Sequence, residues 1–203
     1  IQELTPELSS QFGVPKEVKG VLVSDIMDDS PAKKAGFERG DVIVEYDGKP
    51  MDSPAHLRNA VAQTMVGKKV TVKLIREKKP RSIELTIAEQ PKNLSQAAAE
   101  DSGESLAPAG LLSDIDVREL NTELAGRYGL KSSDRGVVVV RVKSGSPAEE
   151  AGVREGDLML EVNRKAVSTL KSYEQVAANL PKDQAVLLLL KRQGRAIYLT
   201  LRP

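Results

Sequence analysis

Apolar residues along this chain come in short runs, each broken by Gly, Pro or an Asp-Gly pair, so the pattern predicts many strands and few long helices. Residues 1–4 read as a short strand. Thr5 and Pro6 then suit an N-cap and first helical position, opening a short helix with Leu8 and Phe12 on one face and Gly13 at its end. Residues 21–26 read as a strand, Ser30-Pro31 caps a short helix that closes at Gly36, and Gly40-Asp41 turns into a strand over 42–46. Asp47-Gly48 makes the next turn. Residues 54–64 give the one longer helix, with Leu57, Val61 and Met65 expected on its core face, and runs over 70–75 and 83–87 form a hairpin around Lys79-Pro80. Each such set, with five or so strands, predicts a mainly β fold with short helices, a small partly open barrel.

The whole pattern then repeats. Displaced by 116 residues, positions 1–63 align without a gap with 117–179, and 18 of the 63 are identical. Ser30-Pro31-Ala32, Ala35-Gly36 and Gly40-Asp41 recur as Ser146-Pro147-Ala148, Ala151-Gly152 and Gly156-Asp157, while Lys33-Lys34 becomes Glu149-Glu150. Beyond Gly67 the reading takes a one-residue shift, setting Val70 to Arg76 against Ala185 to Lys191, and Ile83 to Ile87 against Ile197 to Leu201. Residues 90–110, rich in Ala, Ser, Pro and acidic side chains without apolar periodicity, read as a flexible connector. The expected layout is therefore one module over 1–90, a linker over 91–110 and a second module over 111–203.

Composition narrows the chemistry. Thirty Lys and Arg against 29 Asp and Glu leave a net charge of +1, and aromatics are 3% of residues. Nucleic acid thus lacks both an attracting field and stacking platforms. No Cys is present, so each module depends on an aliphatic core, and thiolate chemistry is excluded. No run reaches the length that spans a bilayer. The first residue, Ile1, reads as the start of a piece of something longer. With one His, His56, replaced by Ser172 in the second copy, and no Gly-x-Ser-x-Gly or His-Glu-x-x-His string, no catalytic residue, cofactor or metal site is expected.

Residues 30–48, Ser-Pro-Ala-x-x-Ala-Gly-x-x-x-Gly-Asp-Val-Ile-Val-x-Tyr-Asp-Gly, resemble the PDZ domain, and the second copy repeats the Ser-Pro-Ala, Ala-Gly and Gly-Asp positions and runs on through Glu161-Val162-Asn163. Glu3 to Leu8, with its counterpart Glu119 to Leu124 and the tandem order, is similar to the C-terminal half of HtrA-type (Deg, MucD-like) bacterial serine proteases. The resemblance implies two PDZ-like barrels that bind C-termini or extended apolar segments of misfolded proteins by strand addition. It also implies a periplasmic setting, a partner protease domain absent from this chain, and a homo-oligomeric parent built on trimers.

The resemblance places the first groove between Ile1, Gln2 and Glu3 on the strand and His56, Ala60 and Gln63 on the helix. His56 is either a donor to a peptide side chain or a solvated surface residue. The second groove falls between Ser113, Asp114, Ile115 and Val117 and the helical positions Ser172, Val176 and Asn179. The carboxylate-binding loop of the first copy would precede Ile1. In the second copy Asp114 stands where that loop has Gly, with an expected cost in backbone strain and charge, unless Gly110-Leu111 supplies the loop. Two other roles stay open on the sequence: an oligomer-assembly element, and a free tandem scaffold.

Overall fold

The computed structural model describes residues 1–15, 17–27, 30–88, 112–131, 133–181 and 183–203. The chain divides into two compact units, Ile1–Asn93 and Leu94–Pro203. The expected linker over 91–110 lies outside the described residues.

In the first unit the elements run β1 (Gln2–Glu3), α1 (Pro6–Phe12), β2 (Val21–Leu22), α2 (Pro31–Lys34), β3 (Val42–Tyr46), β4 (Lys49–Pro50), α3 (Pro54–Ala62), β5 (Lys69–Arg76) and β6 (Lys79–Thr86). The second unit repeats them as β7 (Ile115–Glu119), α4 (Thr122–Arg127), β8 (Val137–Val142), α5 (Pro147–Glu150), β9 (Leu158–Val162), β10 (Lys165–Ala166), α6 (Leu170–Ala178), β11 (Val186–Arg192) and β12 (Arg195–Leu201). Each unit is one antiparallel sheet of six strands with short helices, and neither sheet closes into a barrel. The orders are β1-β2-β3-β5-β6, with β4 on β3, and β12-β11-β9-β8-β7, with β10 on β9. β1 and β7 therefore end their sheets.

The caps read from the sequence are in place. Thr5, Ser30 and Ser146 accept from the backbone of Leu8, Lys33 and Glu149, and Gly13 ends α1 with φ 65°. The first core gathers Val21, Ile43, Tyr46, Met51, Leu57, Val70, Val72 and Leu74. The second gathers Leu112, Ile115, Val117, Met159, Tyr173, Leu188 and Leu190, and a smaller cluster under α4 joins Leu124, Leu130, Val138 and Leu158.

Four sequence expectations are corrected. The hairpin turns at Glu77-Lys78, both in the left-handed region (φ 51° and 66°), and Lys79-Pro80 belong to β6; two consecutive positive-φ residues match the twist of the strands they join, even without Gly. β2 stops at Leu22, because Val23 bonds instead to the loop before β3, accepting from Gly40 N and donating to Asp41 O, each at 2.8 Å. On α3 only Leu57 is buried. Val61 is 36% exposed and Met65 78%, because the helix ends at Ala62 and its inward face runs through Leu57 and Ala60, three residues apart. Finally, the repeat needs no shift. Val42 pairs Ile75 as Leu158 pairs Lys191, and Val72 pairs Ile83 as Leu188 pairs Leu199, so the displacement is 116 throughout and Arg76 corresponds to Arg192.

Candidate functional site

An edge strand carries a row of main-chain groups with no neighbour on one side, which is what an added peptide strand requires. Each sheet has two edges, and in the first sheet they differ. The β6 edge begins Lys79-Pro80-Arg81, and charge with Pro is how sheets discourage pairing. β1 lacks Pro, as do both edges of the second sheet, β7 and β12. Helix α6 lies against β7, and α3 buries Leu57 in one cluster with Val21 of β2, the strand next to β1. Helix α6 thus flanks β7, and α3 shares a core with β2, the strand beside β1; these are the elements between which the sequence suggested a groove.

In the first unit Gln2 and Glu3 pair with Leu22 and Val21, and Ile1 is exposed at the start of the edge. Ser53 caps α3 by accepting from His56 N at 3.2 Å. His56 is exposed, and its Nδ1 lies 3.0 Å from Asp52 Oδ1. This contact holds the Asp52 carboxyl below the usual carboxylate range. Asp52, Ser53 and His56 are tied as a helix cap: Ser53 Oγ accepts from the His56 main chain, and the His56 ring meets Asp52. Ala60 is half-buried against the core, and Gln63 is exposed at the C-cap. Val61, Met65 and Val66 add exposed apolar surface at this end of α3.

The second unit is built on the same plan with a tighter filling. Leu112, Ser113 and Asp114 form a turn closed by Ile115 N donating to Leu112 O at 3.1 Å. Ile115 and Val117 are fully buried, so their side chains belong to the floor. Asp114 is not among the positive-φ residues, so the expected backbone strain there is absent. Its carboxylate pairs with Lys143 Nζ at 3.3 Å, and its carbonyl accepts from Lys143 N at 2.9 Å. Gly110-Leu111, the other candidate loop, lies outside the described residues. On α6, Ser172 completes a capping box with Thr169, its Oγ accepting from Ser168 N and Thr169 N. It is therefore a capping residue where His56 is an exposed ring. Val176 packs against the core, and Asn179 Nδ2 donates to Gln175 O at 2.7 Å.

Two features were not legible as site residues. Tyr173 stands where the first unit has Leu57; it is 1% exposed, and its hydroxyl has no hydrogen-bond partner among the described residues. Burial and the nearby Asp116 of β7 push its phenol up. Glu119, at the end of β7, accepts from Leu170 N at the start of α6 at 2.9 Å. The repeat alignment offers a signal for both, since it pairs Glu119 with Glu3 of the first groove and Tyr173 with the core residue Leu57.

The family model described as PDZ domain matches residues 6–87 and 118–202. The chain is 39% identical over 197 residues to a probable periplasmic serine endoprotease DegP-like of Chlamydia muridarum, covering 97% of this chain and 37% of that protein. It is 32% identical over 202 residues to the protein of the same description from Pseudomonas fulva, covering 100% and 41%. The chain thus spans about two fifths of the length of these relatives. Among solved structures it is similar to the HtrA-type protease AlgW with decapeptide, at 28% identity and TM-score 0.42, over 45% of this chain and 28% of that one. Two matches to one model, together spanning most of the chain, show that it belongs to the PDZ domain family, in two tandem copies.

Proposed function

We propose that the two PDZ domains are the regulatory, peptide-recognising part of a periplasmic HtrA-type serine endoprotease engaged in protein quality control. Exposed apolar C-termini and extended segments of misfolded proteins would add as strands to β1 and β7, and a separate protease domain of the same parent would cut them. The observation that carries this reading is a sheet that ends on β1 or β7 in each unit, with α6 packed against β7 and α3 sharing a core with the strand beside β1. The relatives' description supports the periplasmic setting and the protease parent. The modules are taken to act as separate units over 1–90 and 111–203, and the parent as a trimer or multiple of trimers. Groove contacts of a few residues should give affinities on the order of 1–100 μM.

Fluorescence anisotropy of a labelled ten-residue peptide ending in Val tests the reading. Saturable binding in that range, abolished by an amidated C-terminus or competed by unfolded protein, supports it; no binding by any apolar-tailed peptide rejects it.

A second role has its own support in the second unit. The buried floor at Ile115 and Val117, the Asp114–Lys143 pair and the capping commitment of Ser172 make its groove less open than the first. Residues 111–203 are therefore the better candidate for packing on a neighbouring subunit, which light scattering of the chain with and without peptide would reveal.

A further inference from the structure

Because the displacement is 116 throughout, Glu3 and Glu119 are equivalent, as are Pro54 and Leu170. The two pairs behave differently. Helix α6 begins at Leu170 with Thr169 as N-cap, and the cap is spent on Ser172 N. The Leu170 N–H is one of the amides a helix start leaves without an internal partner, and Glu119 takes it through Oε2 at 2.9 Å. A carboxylate there also gains from the helix dipole. In the first unit α3 begins at Pro54, which has no N–H, so Glu3 cannot form the same bond.

Glu119 is exposed, whereas Ile115 and Val117 on the same strand are fully buried. The bond thus joins strand to helix at the surface of the groove. Helix and strand also pack closely here: the Tyr173 hydroxyl of α6 is enclosed near Asp116 of β7, with no hydrogen-bond partner among the described residues. We infer that Glu119 is a specificity-determining latch: the second groove admits a peptide only by breaking the Glu119–Leu170 hydrogen bond, and the first groove has no such step. The inference rests on the proposed peptide-binding role and concerns which groove is open.

The test uses the whole chain, labelled with 15N, and a ten-residue peptide ending in Val, with Glu119→Ala and Leu170→Pro as variants. Leu170→Pro installs at α6 the residue that α3 already carries at its first position, where Pro is well tolerated; Glu119→Ala keeps the test valid if that variant does not fold. The first-unit amides serve as an internal reference in the same tube. Expected is a fall in the apparent Kd of the second unit by roughly 3- to 10-fold in both variants, the range one such hydrogen bond spans, with the first unit unchanged. In the unmodified chain the Leu170 amide should lose exchange protection as the second unit saturates. A first unit that binds while the second is unaffected or weakened by both substitutions overturns the latch alone. So does a Leu170 amide that stays protected at saturation. A peptide that moves no amide in any protein overturns the binding role and the latch with it.

Discussion

The Asp41 carboxylate, fully enclosed, is gripped by the Arg76 guanidinium through Nε at 2.6 Å and Nη2 at 2.7 Å. The same Nη2 donates to Gly36 O, and Asp41 also accepts from Glu38 N. One buried acid thus ties the loop after α2 to the end of β5, and Asp157 with Arg192, Gly152 and Arg154 does the same in the second unit. The Gly-Asp motif does more than turn the chain: it anchors the framework on which the groove stands.

Removing one member of such a pair leaves a buried charge uncompensated. Arg76→Ala should destabilise the first unit by about 3–5 kcal/mol, and Arg192→Ala the second by a similar amount. Arg76→Lys, which keeps the charge but loses the planar fork, should cost roughly 1–2 kcal/mol. Urea unfolding followed by amide signals of each unit checks both; equal losses in both units from one substitution would contradict the assignment.

Gly40 has φ 90°, and a Cβ there would lie 2.9 Å from Phe12 Cε1; Gly156, with φ 83°, would meet Tyr128 Cδ1 at 2.8 Å. Gly36 has φ 86° with nothing within 4 Å. Gly40→Ala and Gly156→Ala should therefore cost about 2–3 kcal/mol, strain and collision together, and Gly36→Ala about 1 kcal/mol, strain alone. Thermal unfolding ranks the three, and a Gly36→Ala loss as large as the other two would remove the ring contact from the account.

Most of the fold is written in local chemistry that a sequence exposes. Thr5-Pro6, Ser30-Pro31 and Gly40-Asp41 fix helix starts and turns within four residues; the repeat shows the last two again, while Asn121 caps where Thr5 does. What stayed hidden depends on distant partners. The Asp41–Arg76 contact spans 35 residues, and the one-residue shift had set Arg76 against Lys191, concealing the parallel with Arg192. The Glu77-Lys78 turn has no Gly to announce it, although Gln193-Gly194 occupies the same place in the second unit. Val61 and Met65 fit a helical stripe, but the helix stops at Ala62 and leaves them outside. For the groove, the strands and helices were legible while the Glu119–Leu170 bond was not, because it joins residues 51 apart.

Asp114 was expected to strain its loop, and it does not. Any gain in peptide binding from Asp114→Gly must then come from charge, so Asp114→Asn should give the same gain, and both should shrink as salt rises toward 1 M. Titrations at two ionic strengths decide this; a gain confined to Gly would restore the backbone explanation.

The contact between His56 and Asp52 makes a prediction with a definite sign. The Asp52 carboxyl is held low by the ring, so the stability it contributes is present above the unfolded carboxylate range and is lost as pH falls through the folded value. Carbon NMR should show the Asp52 midpoint rising in His56→Ala. An unchanged midpoint would mean that the ring does not hold the carboxylate, and that His56 turns freely toward solvent.

The central claim is that β1 and β7 accept a peptide as an added antiparallel strand beside α3 and α6. Intermolecular NOEs between the main chain of a bound apolar-tailed peptide and the isotope-labelled chain test it most directly. The account predicts cross-strand contacts to Gln2 and Glu3 in the first unit, with peptide side chains near His56 and Ala60. Contacts to the main chain of β6 or β12 instead, or none to either edge at saturation, would contradict it.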